Sequence, residues 1–276
     1  MTNTMYNIID THSHLFVEDF SEDRAEMMHR AREAGITHIV MPNIDASSIQ
    51  PMLQVCAEYP DLCYPTIGLH PTEVKENHRQ VLSAMKSQLD NSMQDKAAHA
   101  PFVAIGEVGL DFYWDDTYKQ QQLWALEEQI AWALEYDLPI IIHSREAFAE
   151  LYALFKHYKD TPLRGVFHSF TGTVDEAQAL LEFPGFVIGI NGVVTFKKST
   201  IPETLRNIPL SRLVVETDSP YLAPTPHRGK RNESAYVMRV IERLAEIYLC
   251  PTEQVAQQTS TTAHKLFFVK NKIGFR

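Results

Sequence analysis

Cysteine is scarce in this 276-residue chain. Cys56, Cys63 and Cys250 are an odd number with no C-x-x-C spacing, which argues against a disulfide framework and against a cysteine-based zinc site. They read as core filler in a reducing compartment. Long hydrophobic runs are also missing: nothing approaches the ~20 apolar residues of a membrane span. Asp10, Glu18 and Asp19 interrupt the first twenty residues, where a secretory signal keeps its apolar stretch. The expectation is a cytoplasmic protein with no membrane partner and no obligate protein partner. Positive charge is in short supply as well. Lys and Arg number 25 against 35 Asp and Glu, a formal net charge of -10, so any nucleic-acid role must rest on a local positive site rather than a basic face. No G-x-G-x-x-G or G-x-x-x-x-G-K-[ST] phosphate loop occurs, which weighs against an open doubly wound nucleotide-binding sheet. Internal repeats, low-complexity tracts and linkers are absent too.

What is present is ordinary globular material, 45% hydrophobic and 22% charged. Eight short apolar segments read as strands: YNIIDTH, THIVMPN, CYPTIGLH, FVAIGEVG, PIIIHSR, GVFHSF, FVIGIN and LVVETDS. They lack strict alternation, as parallel strands buried on both faces do. Helical spacing lies between them. In SEDRAEMMHRAREAG, Ser21 is the expected N-cap, Glu22 and Asp23 suit the positive first turn, and Gly35 ends the helix. In QQLWALEEQIAWALEYD, Leu123, Leu126, Ile130 and Leu134 form one stripe. Eight βα units in this length predict a single-domain (β/α)8 TIM-type barrel over residues 1–276, since a typical one needs ~250 residues. Residues 91–101, NSMQDKAAHAP, read as a surface loop before strand four.

The strand ends are polar. His12 and His14 close strand one, His70 strand three, Glu107 strand four, His143 strand five, His168 strand six and Asp218 strand eight. Alternate residues of a strand share a face, so His12 and His14 point the same way. In a barrel all these ends converge at the top, where active sites are built. A satisfied core histidine is the ordinary reading of any one position, but burying so many polar groups without a charge partner would cost several kcal/mol. A metal removes the difficulty, because neutral imidazole and carboxylate are its natural ligands. His12, His14, Glu107, His143, His168 and Asp218 are too many for one four-coordinate ion and suit two divalent cations, with Glu107 placed between them. Zinc, manganese and magnesium are all compatible with these donors. Two dications against two carboxylates also supply the local positive site that an acidic protein needs.

The segments DTHSHL, GLHP, GEVGLDFYWD, PIIIHSREA, HSFTGT, ETDSPYLAP, RGKRNE and TTAHKLF follow one another in the order and spacing of the TatD-like deoxyribonucleases. The chain resembles these metal-dependent hydrolases of the amidohydrolase superfamily over nearly its whole length. The resemblance implies a barrel in which a divalent metal pair hydrolyses phosphodiesters. His12, His14 and Asp218 would hold one ion, His143 and His168 the other, and Glu107 would bridge. Two positions depart from the common pattern, since Ser13 and Ser169 stand where many relatives have cysteine; no ligand changes.

The other candidates have two readings each. His70 either contacts a substrate phosphate or water, or orients Glu107 or Asp218. Arg145, two residues after His143, either forks onto a phosphate or forms a salt bridge in the acidic rim. Arg228 and Arg231, in the RGKR run with Lys230, either guide a nucleic-acid backbone or form a solvated charge run. Phe112, Tyr113 and Trp114 stack bases or, the favoured reading, form a packed lid. Met27, Met28 and the other seven histidines carry no evident role.

The leading expectation is therefore a metal-dependent deoxyribonuclease, with Asp218 and Glu107 catalytic, that trims single-stranded DNA ends. One alternative keeps the metals and cleaves amides or esters of a small molecule. A metal-free glycosidase using Glu107 and Asp218 would leave the histidines without a task. A non-catalytic binding module sits poorly with a complete ligand set.

Overall fold

The computed structural model describes residues 7–94 and 101–269. Among them run eight parallel strands: β1 (Ile8–Asp10), β2 (Ile36–Pro42), β3 (Cys63–Thr66), β4 (Ile105–Asp111), β5 (Ile140–Arg145), β6 (Gly165–Phe167), β7 (Phe186–Ile190) and β8 (Leu213–Val215). They neighbour one another in chain order, as a ladder of three and a ladder of five. Single parallel bridges link the two ladders, Ile67 to Ile105 on one side and Ser13 to Ser219 on the other. Backbone hydrogen bonds reinforce both seams: Gly106 N–H donates to Ile67 O (2.9 Å) and Thr11 N–H to Val215 O (3.1 Å). The fold is the expected (β/α)8 TIM-type barrel.

The crossover helices are α1 (Arg24–Glu33), α2 (Ile49–Glu58), α3 (His78–Gln94), α4 (Lys119–Tyr136), α5 (Phe148–Phe155), α6 (Val174–Leu180), α7 (Ile201–Leu205) and α8 (Val237–Tyr248), followed by α9 (Thr252–Phe267). Most of the core lies between the strands and these helices. A smaller cluster fills the barrel itself: Ile9, Val40, Ile141, Val166, Val187 and Val214 meet in the middle, and Ala263, Leu266 and Phe267 of α9 pack onto them. β-Branched side chains dominate such layers because they fill a tapering interior. Among the described residues, no helix is long and apolar enough to cross a membrane.

Three local expectations need correction. Ser21 does not cap α1: residues Glu18–Phe20 form their own 3-10 turn, and the Ser21 hydroxyl donates to Glu18 O (2.7 Å), so the helix starts at Arg24. Residues 91–94 belong to α3 rather than to a loop, because Leu82, Met85 and Leu89 bury one face and carry the helix onward; residues 95–100 lie outside the described set. On α4, Leu126 and Ile130 are buried while Leu123 and Leu134 are only half-buried, and Gln122 and Gln129 share the inner face. Their amides explain this. Gln129 accepts from Leu69 N–H (2.7 Å), and Gln122 accepts from Asp111 N–H (2.9 Å) while donating to Asp111 O (3.0 Å). Gly35 behaves as read, with φ +86° just beyond the end of α1.

Candidate metal centre

β1 ends at Asp10, earlier than the sequence suggests, so His12 and His14 lie past the ladder. The Ser13–Ser219 bridge nevertheless keeps this stretch extended, and alternation then turns both rings to one side. Their Nε2 atoms are 3.1 Å apart. His14 Nδ1 faces Pro42 O at 3.0 Å, so Nδ1 carries the proton and Nε2 presents its lone pair inward. Asp218, three residues past β8, has φ +57° and donates its N–H to His12 O (2.9 Å). Its Oδ1 stands 3.7 Å from His12 Nε2 and 3.5 Å from His14 Nε2.

Glu107 sits inside β4 at a register slip. Ile105 pairs with Ile140 and Val108 with Ile142, so β4 holds one more residue than β5 over that interval. Such bulges re-aim side chains beside active sites. Glu107 is 4% exposed, and its two oxygens face different neighbours. Oε2 approaches His12 Nε2 (3.1 Å) and His14 Nε2 (3.8 Å). Oε1 approaches His143 Nδ1 (2.9 Å), His70 Nε2 (3.5 Å) and His168 Nε2 (3.7 Å). Two residues on, a Cβ at Gly109 would lie 1.9 Å from His143 O, so only glycine lets β4 approach β5 this closely.

Three buried carboxylates that the sequence reading left out brace these groups. Asp111 Oδ2 takes His143 Nε2 at 2.9 Å, and Glu216 Oε1 takes His168 Nδ1 at 3.0 Å. Asp10 accepts the Thr217 N–H (2.9 Å) and hydroxyl (2.7 Å), tying the end of β1 to that of β8. Burial pushes the Asp10 carboxyl up to about 7 against these hydrogen bonds. Spacing held a signal for two of them: Asp10 and Glu216 stand two residues before His12 and Asp218, on the same parity.

The electrostatics follow from burial opposed by close partners. Burial works against the Glu107 anion, yet the surrounding imidazoles, His12 and His70 foremost, hold it well below the usual carboxylate range. Burial likewise works against the His143 and His168 cations. Asp111 and Glu107 nevertheless raise His143 to about 9, and Glu216 and Glu107 raise His168 to about 10. His12 is pushed down by burial and by His168, whose ring stacks on it at 3.5 Å. The chemistry of the donor set fits divalent cations. Three trios bring their ligand atoms together: His12 with His14 and Glu107, His12 with His168 and Asp218, and His70 with Glu107 and His143. All six ligand positions read from the sequence converge here, and His70 joins them, with its Nδ1 on the Thr72 hydroxyl at 2.7 Å.

The basic candidates are distributed differently. The Arg145 guanidinium lies 3.6 Å from the Tyr113 ring centre and 5.3 Å from that of Trp114. It has no carboxylate within ion-pair distance among the described residues, so the alternative of a rim salt bridge does not form. Arg228 is exposed and lies over the Phe196 ring at 3.8 Å. Arg231 is engaged by both oxygens of Asp23 (2.6 and 2.7 Å) and by Asp19 O, which anchors this loop to the start of α1. Phe112 packs on the core, but Tyr113 and Trp114 are 50% and 74% exposed. The packed-lid expectation therefore fails beyond Phe112.

Comparison with known proteins points the same way. A family described as TatD-related DNase matches residues 9–268. An uncharacterized metal-dependent hydrolase of Bacillus subtilis is 36% identical over 261 residues, covering 94% of this chain and 98% of the relative. The 3′-5′ ssDNA/RNA exonuclease TatD of Pantoea ananatis is 33% identical, covering 90% and 94%. Among solved structures, the Escherichia coli TatD homologue YjjV superposes with a TM-score of 0.85 at 31% identity, covering 95% of this chain and 98% of that one.

Proposed function

The chain belongs to the TatD-related DNase family of metal-dependent hydrolases, and from that premise we propose that it is a deoxyribonuclease that trims single-stranded DNA from an end with the help of two divalent cations. The observation that carries this reading is the Glu107 carboxylate, whose two oxygens serve two separate groups of imidazoles. His12, His14 and Asp218 would hold one cation and His143 and His168 the other, with Glu107 shared. Bound there, such a pair offsets phosphoryl charge and acidifies water.

The protein's own residues have distinct tasks in this reading. Asp218 accepts the proton of the attacking water at a carboxylate oxygen and returns it to the leaving oxygen. Asp111 and Glu216 fix the ring orientations of His143 and His168. His70 and Arg145 contact the substrate phosphate, and Arg228 steers the strand toward the mouth. Arg231, tied to Asp23, supports that loop instead. The whole chain acts as one domain in the cytoplasm, where Cys56, Cys63 and Cys250 stay thiols.

The test is cleavage of end-labelled single- and double-stranded oligonucleotides by the protein loaded with zinc, manganese or magnesium. The expected result is shortening from an end of single strands, abolished by a chelator. Rapid cutting of closed circular DNA would overturn the exonuclease mode. Hydrolysis of lactones or amides with phosphodiesters untouched would replace the reading with the small-molecule alternative.

A further inference from the structure

Beside the metal centre, between the loops that follow β5 and β6, lies a cleft of about 510 Å³. That is within the ~300–1,000 Å³ usual for small-molecule sites. His168 forms its inner wall and also belongs to the donor cluster, 3.8 Å from Asp218 Oδ1. The floor is aromatic: Phe167 is buried, while Phe148 and Phe170 are only half-buried and line the open space. Gly172 lets the loop close on Phe170, since a Cβ there would stand 2.8 Å from that ring and 2.6 Å from Glu176 Oε2. At the rim, Arg145 rests flat against Tyr113 with no carboxylate partner among the described residues.

A slot that sets phenylalanine rings beside the polar Ser144, Thr171, Glu146 and Glu176, with a guanidinium that makes no ion pair among the described residues at its mouth, suits a ligand that is a polar aromatic at one end and anionic at the other. An alkyl or acyl chain would leave the polar side chains of the lining without partners. We infer that this cleft is a slot for the terminal nucleobase of the strand, with the adjoining phosphate passing Arg145 toward the metal centre. The inference rests on the phosphodiesterase reading. The ring faces supply stacking that any base can use, and Ser144, Thr171 and Glu146 set hydrogen-bonding groups beside them.

Equilibrium binding separates this inference from the activity itself. Deoxyadenosine 5′-monophosphate and deoxyribose 5-phosphate, which differ only by the base, are titrated into the metal-loaded protein. The nucleotide should bind about 5- to 100-fold more tightly, the usual worth of one stacked base. Thr171 lines the cleft and is exposed, so Thr171→Trp should fill the slot and bring that ratio to about one. Thr171→Ala, which keeps the slot open, should retain it. Equal binding of the two probes to the unaltered protein would overturn the inference, and so would a Thr171→Trp protein that folds normally and keeps the ratio. Because binding needs no turnover, failure to cleave any phosphodiester would count against the proposed function alone.

Discussion

Glu107 concentrates the chemistry of this protein in one side chain. It is nearly free of solvent, within 4 Å of five imidazoles, and ionised despite its burial. Replacing it with glutamine keeps the volume and removes the charge. One of the two oxygens becomes an amide nitrogen, which offers no lone pair to a cation. Glu107→Gln should therefore lower metal content at both positions together and reduce turnover by more than the ~10- to 100-fold expected from losing a supporting group. Any single histidine variant should do less, because no one ring meets as many of the other donors as Glu107 does. Elemental analysis alongside rate measurement checks this; a Glu107→Gln protein that holds two metals and turns over near the normal rate would remove Glu107 from its bridging role.

At the scale of elements, the loop after β4 is informative because its three aromatic residues part company. Phe112 joins the core, while Trp114 is 74% exposed. A side chain that leaves so little area unburied on removal should matter little to folding, so Trp114→Ala should change the melting temperature by less than about 2 °C. Affinity for a short single strand should fall by ~1–3 kcal/mol if the ring stacks on a base. Melting curves and binding isotherms on the one variant decide: a drop of several degrees with affinity intact would restore the lid.

Element by element, much of the architecture was legible, because buried parallel strands announce themselves as apolar runs and their polar ends as breaks in those runs. What escaped depends on partners distant in sequence. Gln122 and Gln129 look like the solvent side of α4, yet they face inward because the tops of β3 and β4 present unpaired backbone groups to them. Asp111 looks like any other acid until strand register sets it against His143. Strand lengths were overread for a related reason. His12 and His14 continue the extended backbone of β1, but a single bridge, not a ladder, holds them there, and Asp218 stands past β8 at a left-handed turn. The Ser21 cap failed because the sequence of a good cap says nothing about a competing 3-10 turn just before it.

For the molecule as a whole, charge limits how nucleic acid would be held under the proposed function. The chain carries a net charge of -10, and Arg231 is committed to Asp23, so Arg145, Arg228 and Lys230 are the cations that the proposed function sets against the strand. Neutralising two or three phosphates of a single strand corresponds to a slope of log affinity against log salt of about -1.4 to -2.1. A titration from low to physiological salt should give that shallow line, and a slope several units steeper would require a long basic track. The other end of the barrel sets a different limit. With Ala263, Leu266 and Phe267 of α9 seated on the inner valines, the barrel is a cul-de-sac, not a tunnel. Whatever reaches the centre arrives and departs by one open face, so a polymer bound there could not be drawn through the barrel.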